Sequence, residues 1–360
     1  MNLLVFNLKT DADDSVLGFT TDWINALAKR CDRVIVITMC MGRLSVDKNV
    51  TVFSVGKEKG YSEPRRLIEF YRILSQVIHT ENIDACFAHM IQIFAILGWP
   101  LLKVRSIPII LWYAHGHVPL SLRIATALVD KVVSSSPSGF RIKTRKLRSI
   151  GQGIDINRFS PAPVADKSDP TIRILTLGRL SPVKRLETAI EAISLISPSR
   201  KETIELRYIG DGIGEQGQKY REHLKHMVEA SGLEKTVVFQ SALPFHRVQE
   251  GYQSANIFIN SSDTNSMDKT VLEAMSCGLP VITSNEAFLD VLGEELASKW
   301  CIPKNKPDIL AARIEQLIEM GPKQRQKLGL KLRECVKASH SLEILSKRLI
   351  AEAAPQTQPL

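Results

Sequence analysis

The stretch NIFINSSDTNSMDKTVLEAMSCGLPVITSN, Asn256 to Asn285, holds the unit from which the fold is built. NIFINSS is a short apolar run that reads as a strand, and DTNSMD is a polar loop. KTVLEAMSC has helical spacing, Gly278 suits its end, and PVITSN is a second apolar strand. A strand, a helix and a strand in so short a span make a parallel pair joined by a crossover helix.

The same alternation runs outward in both directions. Before it lie NLLVF, RVIVIT, VTVFSV, ACFAHM, IPIILWY and KVVSSS, then TIRILTLG, IELRYIG and TVVFQS. Amphipathic segments separate them. In PRRLIEFYRILSQVIH, for example, Leu67, Phe70, Tyr71, Leu74, Val77 and Ile78 recur at helical spacing behind Pro64. Short apolar strands separated by helices predict an α/β protein with parallel sheets covered on both faces. A chain of 360 residues has room for two such domains. The polar, proline-rich SPAPVADKSDP, Ser160 to Pro170, reads as the linker between them. We therefore expect a first domain over 1–160 and a second over 171–335. Residues 336–360 form a terminal amphipathic segment.

Composition removes several classes of function. The six cysteines are scattered with no C-x-x-C pair, so neither a zinc site nor a disulfide framework is expected. No apolar run is long enough to span a membrane, and MNLLVFN lacks the features of a signal peptide. A reducing, cytoplasmic setting is the expectation. The net charge is +9, and residues 1–160 carry 21 Lys and Arg against 13 Asp and Glu. The excess is densest in RIKTRKLR, at Arg141, Lys143, Arg145, Lys146 and Arg148. Such a run is either a solvated face or a surface for an anionic partner. No nucleic-acid module accompanies it.

In doubly wound sheets, ligands bind beyond the carboxyl ends of strands, where loops lead into helix N-termini. Gly178, Arg179, Pro182 and Lys184 follow TIRILTLG at such a place. Two cations before a helix start make an anion site, with phosphate as the expected anion. The loop before KTVLEAMSC has the same layout, so the first amides of that helix, at Lys269 and Thr270, should face a second anion. Glu273, one turn further on, can accept hydrogen bonds from vicinal hydroxyls, although an exposed helical glutamate is common.

GRLSPVK followed by LEAMSCGLPVITSN resembles the family 4 retaining glycosyltransferases, also described as glycosyl transferases group 1. WYAHGH, SSSPSGF and IGQGIDINRF follow the same order. The resemblance implies the B-type glycosyltransferase fold: two Rossmann-like domains facing a central cleft, with the last helix crossing back to the first domain. It implies that Arg179 and Lys184 bind the donor diphosphate and that Glu273 contacts the donor ribose. His115 stands where the family places a histidine near sugar and acceptor, with His117 a second choice. Gly18, at a helix entrance, corresponds to a glycine-containing loop that approaches the donor. The family's second glutamate is replaced by Asn265, and its Gly-Phe-Gly type turn by Ser266, Met267 and Asp268. These residues should line the sugar subsite, with Asn265 and Asp268 shaping sugar choice.

The implied reaction is transfer of a hexose-type sugar from a UDP- or GDP-linked donor, without metal or cofactor. A glycan or a lipid-linked molecule is the expected acceptor, and an anionic membrane surface a possible partner. Nucleic acid is not expected. Two other readings stay open. One is a sugar-nucleotide epimerase or phosphorylase on this fold. The other, motivated by Asn265, is a non-catalytic sugar-nucleotide-binding partner of another transferase.

Overall fold

The computed structural model describes residues 1–14, 16–162, 171–264 and 266–354. They form two compact units. Unit 1 comprises the described residues of Met1–Gly153 and Leu342–Leu360, and unit 2 those of Ile154–Ser341.

Unit 1 is a seven-stranded parallel sheet: β1 (Asn2–Thr10), β2 (Arg33–Met41), β3 (Val50–Ser54), β4 (Ala85–His89), β5 (Ile109–Trp112), β6 (Lys131–Ser134) and β7 (Leu147–Ser149). Their order is β3-β2-β1-β4-β5-β6-β7. Successive residues of β1 and β2 point to opposite faces, and both faces are apolar. Leu4, Phe6, Ile35 and Ile37 enter one core with Phe70, Leu74 and Phe94 of helices Glu63–Thr80 and Gln92–Val104. Leu3, Val5, Val34 and Val36 enter the other with Trp23 and Leu27 of helix Phe19–Ala28. This two-sided burial explains why the strands are continuous apolar runs.

Unit 2 has five parallel strands: β8 (Ile172–Leu177), β9 (Ile204–Ile209), β10 (Val237–Gln240), β11 (Ile257–Asn260) and β12 (Val281–Thr283), in the order β10-β9-β8-β11-β12. Phe258 pairs with Val281, which closes the βα unit read first from the sequence.

Three expectations are corrected. The units divide at 153/154 and 341/342, not at a linker over 160–170 or after 335. Phe159 belongs to the unit 2 core: it is 1% exposed and its ring lies 5.9 Å from that of Tyr252. Its carbonyl accepts from Ser276 Oγ at 2.6 Å and from Arg333 at 2.8 Å. Residues 163–170 of the expected linker lie outside the described residues. At the other end, helix Gly321–Ser339 runs past 335 within unit 2. Helix Leu342–Ala353 then packs Leu345, Leu349 and Ala353 into the Trp23–Leu27 core of unit 1.

The third correction concerns the basic run, which contains the short edge strand β7, paired with β6. Lys146 Nζ donates to the carbonyls of Thr126, Ala127 and Val129 at 3.1, 2.8 and 2.6 Å. It therefore satisfies carbonyls at the end of helix Leu120–Leu128, which the helix cannot pair itself. Arg141, Lys143 and Arg145 are exposed. No helix among the described residues is long and apolar enough to cross a membrane.

Candidate active site

In unit 2 the strand order reverses between β8 and β11. This places a crevice beyond their carboxyl ends. A recess of about 280 Å³ lies there, lined by Gly178, Arg179, Lys184, Asn260 and Ser261 among others. Two glycines permit its floor. Gly178 has φ +134° and Gly210 has φ +153°, and a Cβ on Gly210 would run into the Gly178 carbonyl oxygen.

Arg179 is exposed beside this floor and forms no ion pair with a described residue. Pro182–Lys184 make one 3-10 turn, and Arg185 closes it with φ +47°. Ser261 Oγ, beyond β11, holds this turn, lying 3.0 and 2.7 Å from the carbonyls of Lys184 and Arg185. Helix Glu187–Leu195 begins only after it.

Lys184 Nζ does not stand free in the recess. It meets Asp268 Oδ1 at 2.6 Å. Asp268 occupies the N-cap position of helix Lys269–Ser276, but its side chain does not cap that helix. Its other oxygen accepts from Asn260 Nδ2 at 3.0 Å, with Thr264 Oγ1 at 3.4 Å and Asn285 Nδ2 at 3.5 Å. Burial pushes the Asp268 carboxyl up, but the Lys184 charge and the hydrogen bonds, including one from Ser262, hold it below the usual Asp value.

The helix start is thus left without a side-chain cap. Thr270 adds a buried hydroxyl oxygen with no hydrogen-bond partner among the described residues. Its Cγ2 would lie 4.0 Å from a Cβ on Gly178, so the helix N-terminus adjoins the glycine floor. An uncapped helix start, and a hydroxyl and a guanidinium without partners among the described residues, lie at or beside one recess. That arrangement can hold an anion.

Glu273 is more enclosed than its expected role suggests. It is 4% exposed, accepts from the Tyr252 hydroxyl at 2.8 Å, and has Lys269 Nζ at 3.8 Å. Burial pushes its carboxyl above the usual Glu value, against the opposing pull of Lys269 and Tyr252. Met267 is buried, and the Ser266 carbonyl accepts from Asn285 Nδ2 at 2.7 Å. Asn265 lies outside the described residues. Tyr252 and Asn285 escaped the sequence reading. Tyr252 sits in the short polar helix Val248–Gln253 and Asn285 just after β12, and only the folded packing turns them toward a carboxylate and the loop.

The remaining predicted residues belong to unit 1. Gly18 stands at the entrance of helix Phe19–Ala28 as expected, but it is buried and donates its amide to the Asp14 carbonyl at 3.0 Å. Its amide therefore serves the loop rather than a ligand. His115 is exposed beyond β5, and its Nδ1 accepts from the His117 amide at 3.0 Å. It is not at the point where this sheet reverses, which lies between β1 and β4. There a recess of about 210 Å³ is lined by Asn7, Thr20, Trp23 and His89. His89 was missed, although its place at the end of ACFAHM was a usable signal. Its Nδ1 is 3.3 Å from Asn7 Oδ1, and its ring centroid lies 5.0 Å from that of Trp23.

Two Rossmann-like parallel-sheet units are the architecture of the B-type glycosyltransferases, and the solved structures agree. The HepE protein of Anabaena, crystallised with UDP, matches with a TM-score of 0.75 at 16% identity over 98% of this chain and 99% of that one. Sucrose-phosphate synthase of Thermosynechococcus elongatus matches with 0.72 at 18%, over 97% and 98%. Residues 161–334, most of unit 2, match the family described as glycosyl transferases group 1. A putative colanic acid biosynthesis glycosyltransferase of Escherichia coli (strain K12) is 27% identical over 203 residues, covering 55% of this chain and 48% of that protein. Mannosylfructose-phosphate synthase of Agrobacterium fabrum is 27% identical over 198 residues, or 50% and 43%. The matches thus span about half the length of these curated relatives.

Proposed function

We propose that this protein is a retaining, metal-independent glycosyltransferase. It moves a hexose-type sugar from a UDP- or GDP-linked donor to a glycan or lipid-linked acceptor and takes no cofactor. The observation that carries this reading is the anion-holding recess at the β8/β11 reversal, built from Arg179, Lys184 and the uncapped start of helix Lys269–Ser276. The UDP bound by the HepE relative supports it.

Cleavage of the donor's glycosidic bond leaves negative charge on a nucleoside diphosphate. Arg179, Lys184, the Thr270 hydroxyl and the helix amides stabilise that charge as it develops, and fixed dipoles do so with little reorganisation. Ser266, Met267 and Asn265 shape the sugar subsite. Glu273, held by Tyr252, is the residue assigned to the donor ribose. His115 and Gly18 belong to the unit that receives the acceptor. The exposed Arg141, Lys143 and Arg145 fit a cytoplasmic protein docked peripherally on an anionic membrane surface.

A second reading has an observation of its own. The enclosed Glu273 and the Asn265 replacement also fit a non-catalytic sugar-nucleotide binder. One experiment separates them. A thermal-shift screen of UDP-, GDP-, ADP- and CMP-sugars identifies a bound donor, since a ligand of the native state raises Tm. Turnover of that donor with added acceptors, with and without EDTA, then tests transfer and metal independence. Binding without turnover leaves the non-catalytic reading. No Tm shift with any sugar nucleotide removes both.

A further inference from the structure

The cations of the recess are largely neutralised from within. Lys184 pairs with Asp268 at 2.6 Å, and Lys269 stands 3.8 Å from Glu273. Arg179 is the cation of this group without an ion pair among the described residues. A site read from sequence as two cations before a helix start therefore carries little net charge.

The two partners of the Lys184–Asp268 pair are held differently. Asp268 is anchored independently of Lys184: Asn260 Nδ2 lies at 3.0 Å and Thr264 and Asn285 stand behind it. Apart from Asp268, Lys184 is held among the described residues through its backbone, by Ser261 Oγ and the Ser181 carbonyl. Its side chain is a flexible four-carbon stem with an ammonium that carries three donors. If an anion enters the recess, the lysine can turn toward it while the carboxylate stays in place and remains hydrogen-bonded.

We propose that Asp268 is an internal counter-ion that competes with the donor's diphosphate for Lys184. It rests on the reading of the recess as a nucleoside-diphosphate site, and it adds a specific consequence. Asp268 weakens the hold on the nucleoside diphosphate left after transfer. The ammonium returns to the carboxylate as that product departs, so Asp268 acts on the reaction through Lys184 and is a positioning residue.

The test is calorimetric titration of UDP and of inorganic pyrophosphate into the wild-type protein, Asp268→Asn and Asp268→Gly. Freeing the Lys184 ammonium from its carboxylate partner should tighten both ligands by about tenfold at a protein-surface dielectric. The tightening should vanish in the Lys184→Met background, where there is no ammonium to compete for. Two variants are used because the amide of Asn also meets the Asn260 and Asn285 donors, whereas Gly removes the group altogether. A purely structural ion pair would give the opposite sign, with lower Tm and weaker binding. Wild-type binding of UDP that neither Asp268 variant tightens overturns the counter-ion and leaves the proposed function standing. No binding of UDP or pyrophosphate to any of the proteins overturns both.

Discussion

The Tyr252 hydroxyl donates to Glu273 Oε2 at 2.8 Å, and both side chains are sealed from solvent, at 0% and 4% exposure. This bond ties helix Val248–Gln253 to helix Lys269–Ser276, whose N-terminus adjoins the glycine floor of the recess. Removing the hydroxyl leaves a buried carboxylate with one donor fewer. Tyr252→Phe should therefore cost about 1–3 kcal/mol of stability, because the desolvation of Glu273 is no longer offset. A Tm equal to wild type would mean that the bond contributes nothing.

The same carboxylate sets a pH dependence with a defined sign. Burial raises the Glu273 pKa above its ordinary 4.5. The folded protein thus holds this proton more tightly than the unfolded chain. Its contribution favours folding in acid and is lost as pH rises from 4.5 through the raised value. Glu273→Gln should gain on wild type as pH increases over that window. Thermal unfolding from pH 4.5 to 7.5 reads the difference, and parallel curves would contradict it.

Arg179 and Lys184 should separate binding from stability. Each replacement by Ala removes a charge-assisted contact worth roughly 1.5–3 kcal/mol to a bound diphosphate. Arg179→Ala should leave Tm unchanged, because its side chain is exposed and unpaired among the described residues. Lys184→Ala should also lower Tm, since it strands the buried Asp268 carboxylate. Equal Tm values for the two variants would argue against the ion pair.

Within the basic run the residues should divide in the same way. Lys146→Ala should destabilise unit 1 by about 1–3 kcal/mol, because three carbonyls lose their donor. Neutralising Arg141, Lys143 and Arg145 should leave stability intact and reduce co-sedimentation with anionic vesicles at low salt by about 1 kcal/mol per residue. Absence of wild-type pelleting under those conditions would leave a soluble acceptor as the partner of this face.

Gly210 offers a test of the floor. A side chain there meets the Gly178 carbonyl and must also adopt φ +153°. Gly210→Ala should therefore weaken diphosphate binding and cost roughly 1–3 kcal/mol of stability, the range for strained backbone. Binding and Tm both at wild-type values would show that the floor can relax.

The strands were legible because burial on both faces writes them as unbroken apolar runs, as in Leu3 to Phe6. β7 was hidden because three residues at a sheet edge, within a basic run, carry no such pattern. Arg179, Lys184 and the helix start were legible from their place after strands. What the sequence left unsaid was pairing: that Lys184 meets Asp268, that Tyr252 faces Glu273, and that Lys146 turns back on a helix end. Each joins residues 17 or more positions apart. The domain boundary was misread for a related reason. A polar, proline-rich stretch marks where the chain is irregular, whereas the division between units is set by where Phe159 finds its core.

The return of helix Leu342–Ala353 to unit 1 bears on the order of folding during synthesis. Trp23 and Leu27 leave the ribosome early, yet Leu345 and Leu349, which cover them, leave more than 300 residues later. Unit 2 is contiguous in the chain and can close its core as soon as residue 341 emerges. The unit that begins first therefore finishes last, and its Trp23 face stays open to chaperones throughout translation of the other.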